Sequence, residues 1–163
     1  MSRRFLIAFG IGLAAAGLLT FVLWFFNLGS QVRLESKIVK VRIVPTDDEA
    51  CVAVLELRLK NPAQTPFVVR TVTTTAIDAS GAELTSDQVA QMDLDRVLEY
   101  NKAAGPRYNP VLFTKRKMPG GSEQDWTVAA SFKVPAQKLE SRRNFTIRID
   151  EVDGVVVTIQ EKR

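Results

Sequence analysis

The hydropathy pattern of the chain changes character near residue 27. Residues 5–26 read FLIAFGIGLAAAGLLTFVLWFF, with no charged side chain and Thr20 as the one clearly polar residue. At about 1.5 Å per residue a helix of this length reaches roughly 33 Å, enough to cross a hydrocarbon core of about 30 Å. From Ile38 onward the period becomes two. Val39, Val41 and Ile43 alternate with Lys40 and Arg42, and Leu55, Leu57 and Leu59 alternate with Glu56, Arg58 and Lys60. Trp126, Val128, Ala130, Phe132 and Val134 alternate in the same way with Thr127, Ala129, Ser131 and Lys133. This pattern predicts strands buried on one face, with the apolar sets in the core.

Other segments complete a mainly β reading. Residues 67–79 are rich in Val and Thr and predict one long or two short strands, ended by a turn at Ser80-Gly81. Residues 111–117 predict a further strand. In the last hairpin Phe145, Ile147 and Ile149 form one apolar face, and Val155, Val157 and Ile159 form its match. A two-residue turn at Asp153-Gly154 would pair Ile149 with Thr158 and mix the faces. A three-residue turn over 152–154, with Gly154 left-handed, pairs Ile149 with Val157 and keeps them together.

Two stretches read as helix. Ser86 can cap a helix that starts at Asp87, with Thr85 and Gln88 at capping-box spacing. Ala90, Leu94, Val97 and Leu98 then share a face, which predicts a helix over about 86–100 that lies against the sheets or closes one end. Pro135 opens a predicted single helical turn over 135–139.

The flanks of the apolar run decide what it is. Arg3 and Arg4 precede it, as they would precede a signal peptide, but the run exceeds the roughly 7–15 residues of a signal h-region and Leu28-Gly29-Ser30 is a poor cleavage site. Trp24, Phe25 and Phe26 suit a headgroup interface. The expectation is one uncleaved transmembrane helix over 5–26 in contact with membrane lipid, a cytoplasmic stretch over 1–4, a linker over 27–37 and a domain over 38–163. Arg33, Lys37, Lys40 and Arg42 oppose this orientation, yet large domains translocate largely regardless of charge. The domain is therefore expected outside the cytoplasm, on the periplasmic side of the inner membrane. Ala8, Gly12, Ala16 and Thr20 recur every fourth residue as a ridge of small side chains, along which the helix could associate with a copy of itself or with a membrane protein.

Composition narrows the chemistry. The chain of 163 residues leaves room for one domain after the anchor. Two of its 22 Lys and Arg precede the apolar run, leaving 20 against 18 acidic residues, which lacks the basic bias of a nucleic-acid surface. It has no histidine and one cysteine, so neither a Ser-His-Asp triad, a Cys-His pair, a His-ligated zinc nor an internal disulfide can be built from this chain alone. Cys51 falls in an apolar run and reads as a small buried hydrophobe. The acidic turn at Asp47-Asp48-Glu49 and the Asp150, Glu151, Asp153 group lack calcium-loop spacing, and Lys115-Arg116-Lys117 reads as a solvated strand end. Asn144-Phe145-Thr146 is formally a glycosylation sequon. No cofactor, metal or catalytic residue is expected.

The strand that runs into Leu59-Lys60-Asn61-Pro62, followed by an extended Val/Thr segment and a Gly turn, resembles the late-embryogenesis-abundant type 2 (water-stress) domains. It is also similar to small β-sandwiches that bacteria export behind a single anchor. The resemblance covers about residues 38–82. It implies an immunoglobulin-like or fibronectin-like β-sandwich, here with one inserted helix, and a noncatalytic role; it carries over no functional residue.

The best candidate for a working surface is the helix and the loop after it, residues 100–110. Tyr100, Arg107 and Tyr108 are residue types enriched at binding hot spots, on a loop held by a scaffold. The competing reading is that both tyrosines pack beneath the loop and fix it. The expected function is a noncatalytic envelope module that binds a protein or envelope component. The alternatives are a structural or assembly subunit of a membrane complex, and a lipid-handling or stress-protective domain with an apolar cavity between its sheets.

Overall fold

Residues 3–27 and 34–161 are described by the structure, a computed structural model, and the chain divides into two units between residues 31 and 32. The first unit holds helix α1 (Arg3–Asn27). Among the described residues no helix is long and apolar enough to cross a membrane. The side chains of residues 5–8 and 23–26, which end the uncharged run, lie outside that description, as do residues 28–33 of the predicted linker over 27–37.

The second unit is a sandwich of two antiparallel sheets. Its strands are β1 (Glu35–Pro45), β2 (Cys51–Lys60), β3 (Phe67–Ile77), β4 (Glu83–Thr85), β5 (Asp87–Gln88), β6 (Lys117–Met118), β7 (Glu123–Phe132), β8 (Asn144–Glu151) and β9 (Val156–Gln160). One sheet has the order β1-β2-β7-β5 and the other β4-β3-β8-β9, with β6 also paired to β3. Leu55, Leu57 and Leu59 of β2 and Trp126, Val128 and Phe132 of β7 meet Phe67 and Val69 of β3 and Phe145, Ile147 and Ile149 of β8 in one core. The rings of Phe132 and Phe145 touch across it, tilted, with centroids 5.9 Å apart. Cys51 is fully buried there, as expected.

The final hairpin has the predicted register. Ile149 pairs with Val157 and Ile147 with Ile159, and Gly154 takes φ +93°, a left-handed conformation that a side chain at this position would strain. Helix α3 (Ala136–Glu140) follows Pro135 as predicted. At the turn after β3, Gly81 is left-handed and Asp78 accepts hydrogen bonds from the Ser80 hydroxyl and from the Ser80 and Ala82 N–H groups. The Ser80 hydroxyl, chiefly, pulls the Asp78 carboxyl down to about 2.

Four expectations are corrected. Val39 does not join Val41 and Ile43 in the core: the pairing of β1 with β2 slips between Ile38 and Lys40, so Ile38 takes that place and Val39 is exposed. A bulge of one residue reverses the faces before and after it. Helix α2 (Gln91–Tyr100) starts four residues later than Asp87, because Asp87 and Gln88 pair with Ser131 and Ala130 of β7. Ser86 spends its hydroxyl on the Thr74 carbonyl at 2.6 Å and caps nothing. Residues 111–117 do not form one strand. Val111 bridges Thr127 in the first sheet while Lys117 and Met118 pair with β3 in the second, so the chain crosses between sheets in the interval.

The fourth correction bears on function. The outward faces of β2 and β7, expected to be solvated, are largely buried. Val44, Val52, Val54 and Ala129 on that face pack with Leu94 and Leu98 of α2 and with Val111, forming a second core outside the sandwich. Burying Leu94 and Leu98 contributes roughly 1.5–3 kcal/mol each and holds α2 flat on the sheet. The residues after α2 are thereby laid over the middle of β1 and β2.

Candidate functional site

Under that loop lies a polar cluster in a setting otherwise apolar. Arg42 of β1 and Glu56 of β2 form an ion pair at 2.8 Å, with side chains 9% and 7% exposed. Glu56 also accepts hydrogen bonds from Asn109 Nδ2 and from the Thr127 hydroxyl, each at 2.8 Å. Arg42 Nη1 donates to the carbonyls of Ala104, Gly105 and Pro106 at 2.7, 3.3 and 3.0 Å. Those carbonyls lie at or just past the end of a 3₁₀ turn (Lys102–Ala104), where a cation is favoured. Arg42 Nε is buried with no partner among the described residues. Strand hydrogen bonds extend the attachment: Leu112 N–H donates to Thr127 O, and Thr127 N–H to Pro110 O.

This cluster supports Tyr108 from below without enclosing it. The Tyr108 ring covers Arg42, whose Cζ lies 5.3 Å from its centroid, with Lys40 Nζ at 6.0 Å. Tyr108 nevertheless remains 63% exposed, and Tyr100, the last residue of α2, is 89% exposed. Neither tyrosine is packed beneath the loop. Arg107 pairs with Asp95 of α2 at 2.7 Å and donates to the Asn109 carbonyl at 3.0 Å. The hydrogen bond to Asp95 raises the Arg107 pKa above its ordinary value, so the group is a fixed cation at every physiological pH. Beside it a shallow depression of about 470 Å³ is lined by Leu98, Glu99, Lys102, Pro106 and Arg107, among others.

Sequence reasoning missed Arg42, Glu56, Asn109 and Thr127, having assigned Arg42 and Glu56 to a solvated face. A signal was present. Val44, Val52 and Val54 fall on the same supposedly polar faces, and an amphipathic helix at 91–100 needs an apolar surface to sit on. Among the described residues, no three His, Cys, Asp or Glu side chains gather as a metal site.

In α1, Gly12, Ala16 and Thr20 are exposed, and the Thr20 hydroxyl donates back to the Ala16 carbonyl at 2.8 Å. A Cβ built on Gly12 meets nothing within 4 Å. The side chain of Ala8 lies outside the description.

No protein-family model and no curated protein matches the sequence. Among solved structures, the chain is similar to a candidate lipoprotein, YcdA, of Bacillus subtilis, with TM-score 0.48 and 10% identity over 81% of this chain. The match spans 37% of YcdA's length. It is also similar to an uncharacterised β-sandwich protein of Clostridium difficile 630, with TM-score 0.42 and 12% identity over 80% of this chain and 86% of that one.

Proposed function

We propose that the protein is a noncatalytic β-sandwich module of the cell envelope, tethered through residues 5–26 as a single-pass inner-membrane protein with its domain on the periplasmic side. The surface formed by Tyr100, Arg107 and Tyr108 engages a protein or envelope component. The observation that carries this reading is that the Tyr108 ring is held in solvent on a loop whose backbone is tied to a buried ion pair, with Tyr100 exposed at the end of α2. Pre-ordered aromatic side chains lose little entropy when a partner covers them. The strand order favours the immunoglobulin-type sandwich: β1-β2-β7-β5 against β4-β3-β8-β9 has the order of an ABED sheet facing a CFG sheet with one added edge strand. A lipid-handling role finds less support, because Phe67, Phe132, Phe145, Leu55 and Leu57 fill the space between the sheets.

The test is recovery of cross-linked partners from membranes that carry the full chain. Substituting Tyr100, Arg107 and Tyr108 together by alanine is expected to remove the partner while leaving the free energy of unfolding within about 1 kcal/mol of the wild type, since the Arg107–Asp95 pair is partly exposed. Undiminished recovery overturns the proposed surface. A partner that instead disappears on Gly12→Leu assigns the chain to the structural subunit of a membrane assembly.

A further inference from the structure

The sheets end in edges of different kinds, and one of them carries no charge, proline or bulge along its length. Edge strands are blunted by bulges, lysines, prolines or brevity. Strand β1 has its bulge at Val39, with Lys37, Lys40 and Pro45 along it. Strands β5 and β6 are two residues long, and β4 has three, including Glu83. Strand β9 reads VVTIQ, without charge, proline or bulge, and Val156 is 46% exposed.

The hydrogen-bond pattern shows which groups of β9 are free. Glu151 N–H donates to Val155 O and Glu161 N–H to Phe145 O. With Ile149 opposite Val157 and Ile147 opposite Ile159, residues 155, 157, 159 and 161 turn their backbone groups toward β8. Val156, Thr158 and Gln160 turn theirs away, and these have no backbone partner among the described residues. A groove of about 520 Å³, lined by Lys37, Val39, Val41 and Gln160 among others, lies beside that edge, where β1 of the other sheet approaches β9.

We propose that a second copy of this chain fills the position, with β9 pairing antiparallel to its counterpart about a two-fold axis at Thr158. In that register Val156 meets Gln160 of the partner subunit, and Thr158 meets Thr158 of the partner subunit. All three residues present outward-facing backbone groups, so every N–H finds a carbonyl. The faces agree too. The inward side chains Val157 and Ile159 fall opposite each other across the axis, and the outward set meets only Val, Thr and Gln. No charge on β9 opposes a like charge, and a Thr–Thr cross-strand pair is favourable. The interface is isologous and closes at two copies. It yields a continuous sheet in which β9 is no longer an edge.

The experiment uses the full chain in its membrane. Thr158→Cys places two thiols on the axis, where opposed Cα atoms lie about 5.5 Å apart, within disulfide reach. Thr73→Cys, on the outer face of β3, is the control: its copies are about 24 Å apart, five strand spacings. Cys51 gives no background, being buried, with a thiol pushed up to about 11 by that burial first and then by Asp47 and Glu140. Mild oxidation is expected to cross-link Thr158→Cys as a homodimer and leave Thr73→Cys monomeric. In detergent, the mass of the wild-type chain should be that of a dimer, and Thr158→Lys, which sets two cations face to face, should weaken association about tenfold or more. Three results overturn the proposal: no Thr158→Cys homodimer, cross-linking of that cysteine to a different protein, or a dimer indifferent to Thr158→Lys, as pairing through α1 would give.

Discussion

Replacing Glu56 by leucine is expected to destabilise the domain by about 3–5 kcal/mol, a larger effect than an outward-facing glutamate on a strand would ordinarily carry. The reason is what it leaves behind. Arg42 stays buried with its charge uncompensated, and the Asn109 amide and the Thr127 hydroxyl each lose an acceptor. The double variant Arg42→Met with Glu56→Leu removes both charges and is expected to recover most of the loss, as apolar replacements of buried ion pairs generally do. The variants separate stability from order. In the double variant the carbonyls of residues 104–106 lack their donor, so trypsin should cut after Lys102 faster than in the wild type even where the urea midpoint is restored. Partner recovery through Tyr108 should fall with it, because the ring rests on Arg42.

The second large effect is expected at Asn61. Its Nδ2 donates to the carbonyls of Thr65, Met118 and Pro119, its Oδ1 accepts from Ala63 N–H at 3.1 Å, and its own N–H donates to Ser122 O at 2.8 Å. One buried side chain thus ties the β2–β3 connection to the turn before β7. Asn61→Ala keeps the backbone bond to Ser122 but removes the side-chain donor to the Thr65 and Met118 carbonyls and the acceptor for Ala63 N–H, and about 3 kcal/mol is the expected cost. Gly120→Ala attacks the same junction from the other side. A Cβ there would lie 2.2 Å from the Gln64 carbonyl oxygen, a backbone atom that cannot turn aside, so a loss of about 2 kcal/mol is expected. Both are read from urea midpoints with the slope unchanged.

What the sequence disclosed depended on whether local chemistry or distant packing set each feature. The 152–154 turn was legible because parity and one glycine admit a single register that keeps Ile149 with Val157. The inward set of β7 was legible for the same reason, since Trp126, Val128, Ala130 and Phe132 alternate without interruption. The start of α2 was not. Ser86 and Asp87 offer a sound local cap, and the sheet outbid it through hydrogen bonds to residues more than forty positions away. Val39 slipped from the core because a bulge costs no residue pattern that a single sequence displays. Glu56 and Arg42 were assigned to water because alternation reports which face a side chain takes and says nothing of what later covers that face. Tyr100 and Tyr108 were singled out from their residue types, and the Arg42 side chain beneath the Tyr108 ring, which alternation assigned to water, is what holds that ring on the surface.

Alkaline carbonate extraction of membranes carrying the full-length chain tests the tether most directly, because residues 5–26 are uncharged throughout and the rest of the chain carries an ordinary mixed surface. The chain is expected to remain with the bilayer pellet after extraction. Release of the intact chain into the supernatant would contradict a membrane-tethered module.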